Sequence, residues 1–217
     1  MSREENVLRF YVLCNKLKDV IRTGWKNWHV KRNRIESVAE HIYSTQMLAI
    51  AIKSEYGYDN VDIMKVIYML AIHELEEIII GDLTLFDISR EEKVKIGHEA
   101  VIRILSPLKD REFINAIILE FDARITPEAK FAYQVDKLEC DLQCKLYDEE
   151  GCVVVDIEKD LVNIHDKTVV DLLKAGKSWS EMWMLSGQKR VNFDSNFLAI
   201  SNYAINHYIK GLAEEDN

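Results

Sequence analysis

VDIMKVIYMLAIHELEEIIIGDLT, residues 61–84, runs without a proline and meets its first glycine at Gly81. At ~100° per residue, Ile63, Val66, Ile67, Leu70, Ala71 and Ile78 share one stripe. The segment therefore reads as one helix from about residue 60 to Ile80, capped by Asn60 or Asp59 and stopped by Gly81. Its polar residues are out of place. Glu74 falls on the centre of the apolar stripe, Glu77 lies within about 60° of it and His73 at its edge, while Glu76 points away. An ionised carboxylate buried without a partner is costly. Two on one apolar face call for basic side chains or a divalent cation, and histidines are the usual companions of such a cation.

The same period organises the rest of the chain. Residues 4–21 carry apolar positions at helical spacing, and Glu36 to about Tyr56 reads as a helix ended near Gly57. In that helix His41 and Thr45 sit inside the stripe of Val38, Ile42, Leu48, Ala49 and Ile52. Ser89 with Glu92 forms a capping box for a helix reaching about Leu105, and 110–122 is another. Thr126 followed by Pro127 opens a long helix to about Tyr147. Asp136 lies off its main stripe, on a second face with Ala129, Ala132, Tyr133 and Cys140, which is buried if the helix is central. The segments 153–175, 178–185 and 191–212 are also helix-like, and the valine run 153–155 is not expected to form a strand. Trp179 and Trp183 share a helical face, as do the aromatic and apolar residues of 191–212, and both faces suit packing or a subunit interface. The fold class is all-α.

Composition narrows the function. With 217 residues, 48% of them hydrophobic and 30% charged, the chain has apolar surface for a core and charge for solubility. A net charge of −9 argues against nonspecific binding to a nucleic acid polymer. The N-terminus is charged from its third residue, unlike a secretory signal, and no apolar run is long enough for a membrane span. Cys14, Cys140, Cys144 and Cys152 form no CxxC pair and read as reduced thiols of a cytoplasmic protein. One stretch opposes the global charge: between Arg22 and Ile35 stand Arg22, Lys26, Lys31, Arg32, Arg34 and His29, with no acid and with Trp25 and Trp28 interleaved. It reads either as a solvated loop anchored by its tryptophans or as a phosphate-facing segment at the mouth of a site.

Three segments, IESVAEHIYSTQM (35–47), IHELEEIIIGDLT (72–84) and QVDKLECDLQ (134–143), together resemble the HD-domain superfamily, and more narrowly its 5′-deoxyribonucleotidase-like branch. The resemblance spans roughly residues 8–147. It implies an HD-type helical bundle over 1–150, with 151–217 as a helical extension packing on the core or on a dimer interface. By position, His41 matches the family's first metal ligand, His73 the histidine of its His-Asp pair and Asp136 its final aspartate. Glu77 and Asp82 match the two acids that serve the reaction, and the basic segment before His41 fits the branch's phosphate- and sugar-holding role, through Arg22, Trp25, Lys26 and Arg34. Glu74 stands where the pattern calls for aspartate, and its extra methylene moves the carboxylate by roughly 1.5 Å.

Two histidines and two carboxylates suit a divalent transition metal such as Mn, Co, Ni, Fe or Zn. The resemblance thus implies a metal-dependent phosphomonoesterase acting on nucleoside monophosphates, 5′-deoxyribonucleotides in particular, in a homodimer. Two alternatives stand beside it: a catalytically weak nucleotide-binding protein, motivated by Glu74, and a hydrolase of (p)ppGpp or cyclic nucleotides, motivated by the Glu76-Glu77 pair. His98 is a candidate for a second metal and His29 for phosphate, whereas His165 and His207 carry no assignment.

Overall fold

The computed structural model describes residues 2–84, 87–156 and 167–213, and among these it is helical with no sheet. It resolves into two compact units, residues 1–24 with 35–133 and residues 25–34 with 134–217. The division falls inside a long helix rather than at residue 150, so the basic segment 25–34 groups with the C-terminal part.

The first unit begins with α1 (Arg3–Asn15), opened by a capping box between Ser2 and Glu5. The apolar spacing that reads as helix to residue 21 does not carry it that far. A single 3₁₀ turn over Lys16–Lys18 buries Leu17, after which Val20–Arg22 pairs with Glu36–Val38. Val38 N donates to Val20 O at 2.8 Å, Arg22 N donates to Glu36 O at 3.1 Å, and Ile21 and Ser37 form an antiparallel bridge. The β-branched Val20 and Ile21 favour this extended course. A short α2 (Thr23–Asn27) follows. Ser37 and Glu40 then cap α3 (Val38–Tyr56), whose buried face is Val38, His41, Thr45, Ala49 and Ile52.

The helix expected over 60–80 is two helices. Asp62, rather than Asp59 or Asn60, caps α4 (Ile63–Ile72) by accepting from Met64 N and Lys65 N, and α5 spans Glu77–Ile80. Between them the backbone tightens to i→i−3 bonding: Leu75 N to Ile72 O, Glu77 N to Glu74 O and Ile78 N to Leu75 O, each at 3.2 Å. The cause is visible at His73, whose Nδ1 donates to Leu70 O at 2.8 Å. That carbonyl is the one the next α-turn would engage, so the imidazole ends α4. Gly81 then reverses the chain at φ 71°, ψ 174°, a region nearly reserved for glycine.

Ser89 accepts from Glu92 N to open α6 (Arg90–Leu105). α7 (Arg111–Ala123) ends on a left-handed Arg124, whose guanidinium lies 3.8 Å from the Tyr133 ring centroid. Thr126 Oγ1 accepts from Ala129 N at the start of α8 (Pro127–Glu149). α8 is central: Ala129, Phe131, Ala132, Val135, Asp136, Leu138, Glu139, Asp141, Cys144 and Tyr147 are all buried.

The second unit is built on an aromatic cluster. Trp25 packs against Tyr147, Trp179 and Trp183 at centroid distances of 5.4, 6.2 and 5.5 Å, and Trp28 joins the last two. Residues 153–155 form no strand. Of the helix expected over 153–175, α9 covers Lys167–Lys174, and residues 157–166, His165 among them, lie outside the described residues. α10 (Trp179–Val191) outruns its expected end at 185, and α11 (Ser195–Asn206) begins at the Asp194 cap. None of the four cysteines forms a disulfide.

One buried acid in this unit yields a stability prediction. Burial pushes Asp141 up from an ordinary 3.8 to about 8, against the charges of Arg190 and Lys137 and a hydrogen bond from Trp183. Gly187 makes the room, since a Cβ there would stand 2.8 Å from Asp141 Oδ2. The unfolded chain releases this proton near pH 4 and the folded chain only near pH 8. The group's contribution to stability is therefore complete below about pH 4 and is lost as pH rises toward 8. Asp141→Asn is expected to flatten the Tm-versus-pH curve between these values and to raise Tm at pH 8. An unchanged slope would count against the assignment.

Candidate metal centre and active site

His41 is fully buried on the second turn of α3, and His73 is buried where α4 ends. The buried face of α4 is Val66, Met69 and Leu70, continued by His73, so the histidine sits at the centre of that face and Glu74, half-buried, at its edge. This exchanges the positions expected from the sequence, because Ala71 turns outward and Met69 inward. With Nδ1 committed to Leu70 O, His73 turns Nε2 toward Glu74, whose Oε1 is 3.6 Å away. The two imidazole rings lie 5.5 Å apart.

Asp136, carried by the unbroken α8, is buried and paired with Lys137 at 2.9 Å. One ligand atom each from His41, His73, Glu74 and Asp136 all lie within 4.8 Å of one another. The donor set fits a divalent ion: two imidazoles, one with its tautomer fixed by a backbone carbonyl, and two carboxylates. The extra methylene of Glu74 does not take its carboxylate out of reach. A second group, His41 with Glu139 and Cys140, also falls within that distance; the sequence reads Cys140 first as an ordinary thiol, with a metal role as the lesser alternative, and gives Glu139 none.

The remaining acids surround this set. In the i→i−3 turn, side chains three apart eclipse, which brings Glu77 under Glu74. Glu77 is 1% exposed, its carboxylate accepts no hydrogen bond among the described residues, and Lys93 of α6 lies 3.5 Å from Oε1. Burial first, then the charges of Glu74 and Asp82, hold its carboxyl well above the usual range, against the pull of Arg22 and Lys93. Glu76 does not point away as its helical phase suggested. It packs on α6, with Cγ 3.4 Å from the position of a Cβ on Gly97, and burial and the Glu74 charge raise its carboxyl too. The tightened turn accounts for the difference, since it rotates Glu76 by about 120° per residue rather than 100°.

Asp82 accepts from Thr23 N through Oδ2 at 2.6 Å. Arg22 reaches Glu74 Oε1 with Nη1 at 3.4 Å. Of the other residues expected to hold substrate, Lys26 and Arg34 are exposed on the 25–34 segment, whereas Trp25 is 2% exposed inside the aromatic cluster. The structure thus favours the anchoring reading for this tryptophan. It leaves no open indole face like that expected of a substrate contact. His98 pairs with Asp122 at 2.8 Å, and His207 stacks on Tyr203. Sequence reasoning passed over Lys93 and Thr23, since neither lies in a motif nor breaks an apolar stripe.

Residues 14–175 match the HD domain family, and the chain belongs to that family. It is 35% identical over 152 residues to the 5′-deoxynucleotidase HDDC2 of Dictyostelium discoideum, covering 67% of this chain and 79% of the relative. The protein of the same name from Danio rerio is 30% identical over 203 residues, covering 90% of this chain and 98% of the relative. Among solved structures, a predicted metal-dependent phosphohydrolase from Magnetospirillum magnetotacticum superposes with a TM-score of 0.62 at 25% identity, over 95% of this chain and 97% of its own.

Proposed function

We propose that the chain hydrolyses nucleoside monophosphates, 5′-deoxyribonucleotides in particular, with a divalent transition metal (Mn, Co, Ni, Fe or Zn) held by His41, His73, Glu74 and Asp136. The observation that carries this reading is the convergence of those four ligand atoms within 4.8 Å, in a chain whose relatives are named as 5′-deoxynucleotidases. All four residues lie within 1–150, which we take as the metal-binding core, with 151–217 as a helical extension. When bound, the ion supplies Lewis-acid activation at the phosphoryl centre.

The chain's own residues do the rest. Arg22, already beside Glu74, neutralises charge on the phosphoryl oxygens, and Lys26 and Arg34 draw the dianion in from an otherwise acidic surface. Trp25 anchors their segment. Glu77, whose ionised form is favoured by the charge of an ion held by the neighbouring Glu74, takes the proton of the attacking water in that form. Water oxygen bonds to phosphorus, the ester P–O bond breaks, and Asp82, which takes up a proton from solvent before each turnover, gives it to the departing nucleoside oxygen. Glu77 returns its own proton to solvent, leaving nucleoside and inorganic phosphate.

A homodimer and a cytoplasmic location belong to the same proposal. For the first, no residue of α1 is buried, and Val7, Leu8, Tyr11 and Val12 are about 60% exposed. For the second, none of the four cysteines forms a disulfide, and among the described residues no helix is long and apolar enough to cross a membrane.

The test is phosphate release from a panel of deoxy- and ribonucleoside monophosphates, (p)ppGpp and cyclic nucleotides. Metal-stripped protein would be resupplied separately with Mn, Co, Ni, Fe, Zn and Mg, with Glu74→Asp alongside. Metal-dependent release from deoxyribonucleotides is expected. The glutamate at position 74 favours a second reading, a site that binds nucleotide without turning it over. Silence of the wild type with every metal, together with turnover by Glu74→Asp, would select that reading.

A further inference from the structure

We propose that Thr23, which lies in no recognised motif, is the positioning residue that aims the Asp82 carboxylate at the leaving group; this rests on the role given to Asp82 above. α5 is only four residues long and ends at the reversal of Gly81, so it offers little to fix the side chain that follows. The fixing comes from elsewhere in the first unit. Thr23 N donates to Asp82 Oδ2 at 2.6 Å, and Thr23 Oγ1 donates to the Asp82 backbone oxygen at 2.6 Å. These bonds secure main chain and side chain at once, and they leave Oδ1 as the oxygen not engaged by Thr23.

Thr23 is itself held. Ile21, two residues earlier, bridges Ser37, and Arg22 N donates to Glu36 O. On the far side of the loop Lys93 Nζ donates to Leu83 O at 2.6 Å. Residues 81–84 are therefore gripped by Thr23 from one side and Lys93 from the other. The tripeptide Ile21–Thr23 places the arginine that meets Glu74 and the threonine that orients Asp82 in adjacent positions, so substrate charge and proton delivery are registered by one backbone.

The test compares Thr23→Val, Thr23→Ala and Thr23→Ser with wild type and Asp82→Asn, using the deoxyribonucleoside monophosphate and metal that serve wild type best. Valine and alanine delete the same hydroxyl donor with different packing, while serine keeps both bonds. Loss of one such bond corresponds to about a tenfold fall in kcat. We expect that fall in both Thr23→Val and Thr23→Ala, with KM changed less than about twofold, metal content constant and Thr23→Ser restoring wild-type kcat. Wild-type kcat in Thr23→Val while Asp82→Asn is slow would overturn the role of Thr23 alone. So would equal losses in all three Thr23 variants that merely follow Tm. Full activity in Asp82→Asn would instead overturn the reading of Asp82, and the Thr23 proposal with it.

Discussion

Glu77→Gln is expected to turn over nucleotide ~10²–10⁴-fold more slowly than wild type while holding the same amount of metal. The glutamine has nearly the shape of the glutamate, so the packing of a side chain that is 1% exposed is preserved. What is lost is the ability to accept a proton at a point directly under Glu74 and beside Lys93. Measuring kcat at saturating nucleotide, with metal content determined on the same samples, separates the two roles this acid has available. A parallel loss of metal and turnover would make Glu77 a ligand, and turnover within about twofold of wild type would remove it from the chemistry.

The second large effect is expected at His41. His41→Ala should lower metal affinity by at least about 100-fold, the upper range seen when residues merely supporting a ligand are changed, and turnover should fall with it. The consequence reaches stability. Metal present at 100 times its Kd should stabilise the wild-type fold by about 2.7 kcal/mol, raising Tm, and the variant should show little of that rise. Titration calorimetry and melting curves with and without Mn or Co provide the check. Wild-type affinity in His41→Ala would dismantle the proposed four-residue set.

Much of this was legible in the sequence, for identifiable reasons. The face of α3 was read correctly because its helix is regular from cap to cap, so a fixed rotation per residue puts His41 and Thr45 among Val38, Ala49 and Ile52. Asp136 was placed on a second face of α8 whose burial depended on the helix being central, and the structure buries Asp136 there with Ala129 and Ala132, leaving Tyr133 and Cys140 partly covered. The reading failed where the backbone leaves the ideal period. His73 ends α4 with its own side chain, and three i→i−3 bonds then change the phase of everything up to Ile80. Glu76 was misplaced for that cause, whereas the order of His73 and Glu74 was misread within α4 itself, where Met69 rather than Ala71 faces inward. Trp25 was indeterminate in sequence because its partners, Tyr147, Trp179 and Trp183, lie more than a hundred residues away. Thr23 and Lys93 left no trace, since a hydroxyl or ammonium that meets a distant carbonyl has no periodic signature.

The pairing of Val20–Arg22 with Glu36–Val38 also bears on how this sequence tolerates change. It closes the stretch between into a loop whose two ends are fixed to each other by backbone bonds, independent of the side chains in the middle. Doubling the length of such a loop costs only about 0.6 kcal/mol in closure entropy. Insertions among the exposed residues 32–34, beyond the buried Trp28 and Val30, are therefore nearly neutral for the fold, yet each alters how many cations the loop carries and how far they extend. Lineages can drift in which phosphorylated molecules they attract while Arg22, at one root of the loop, and His41, just beyond the other, stay where they are.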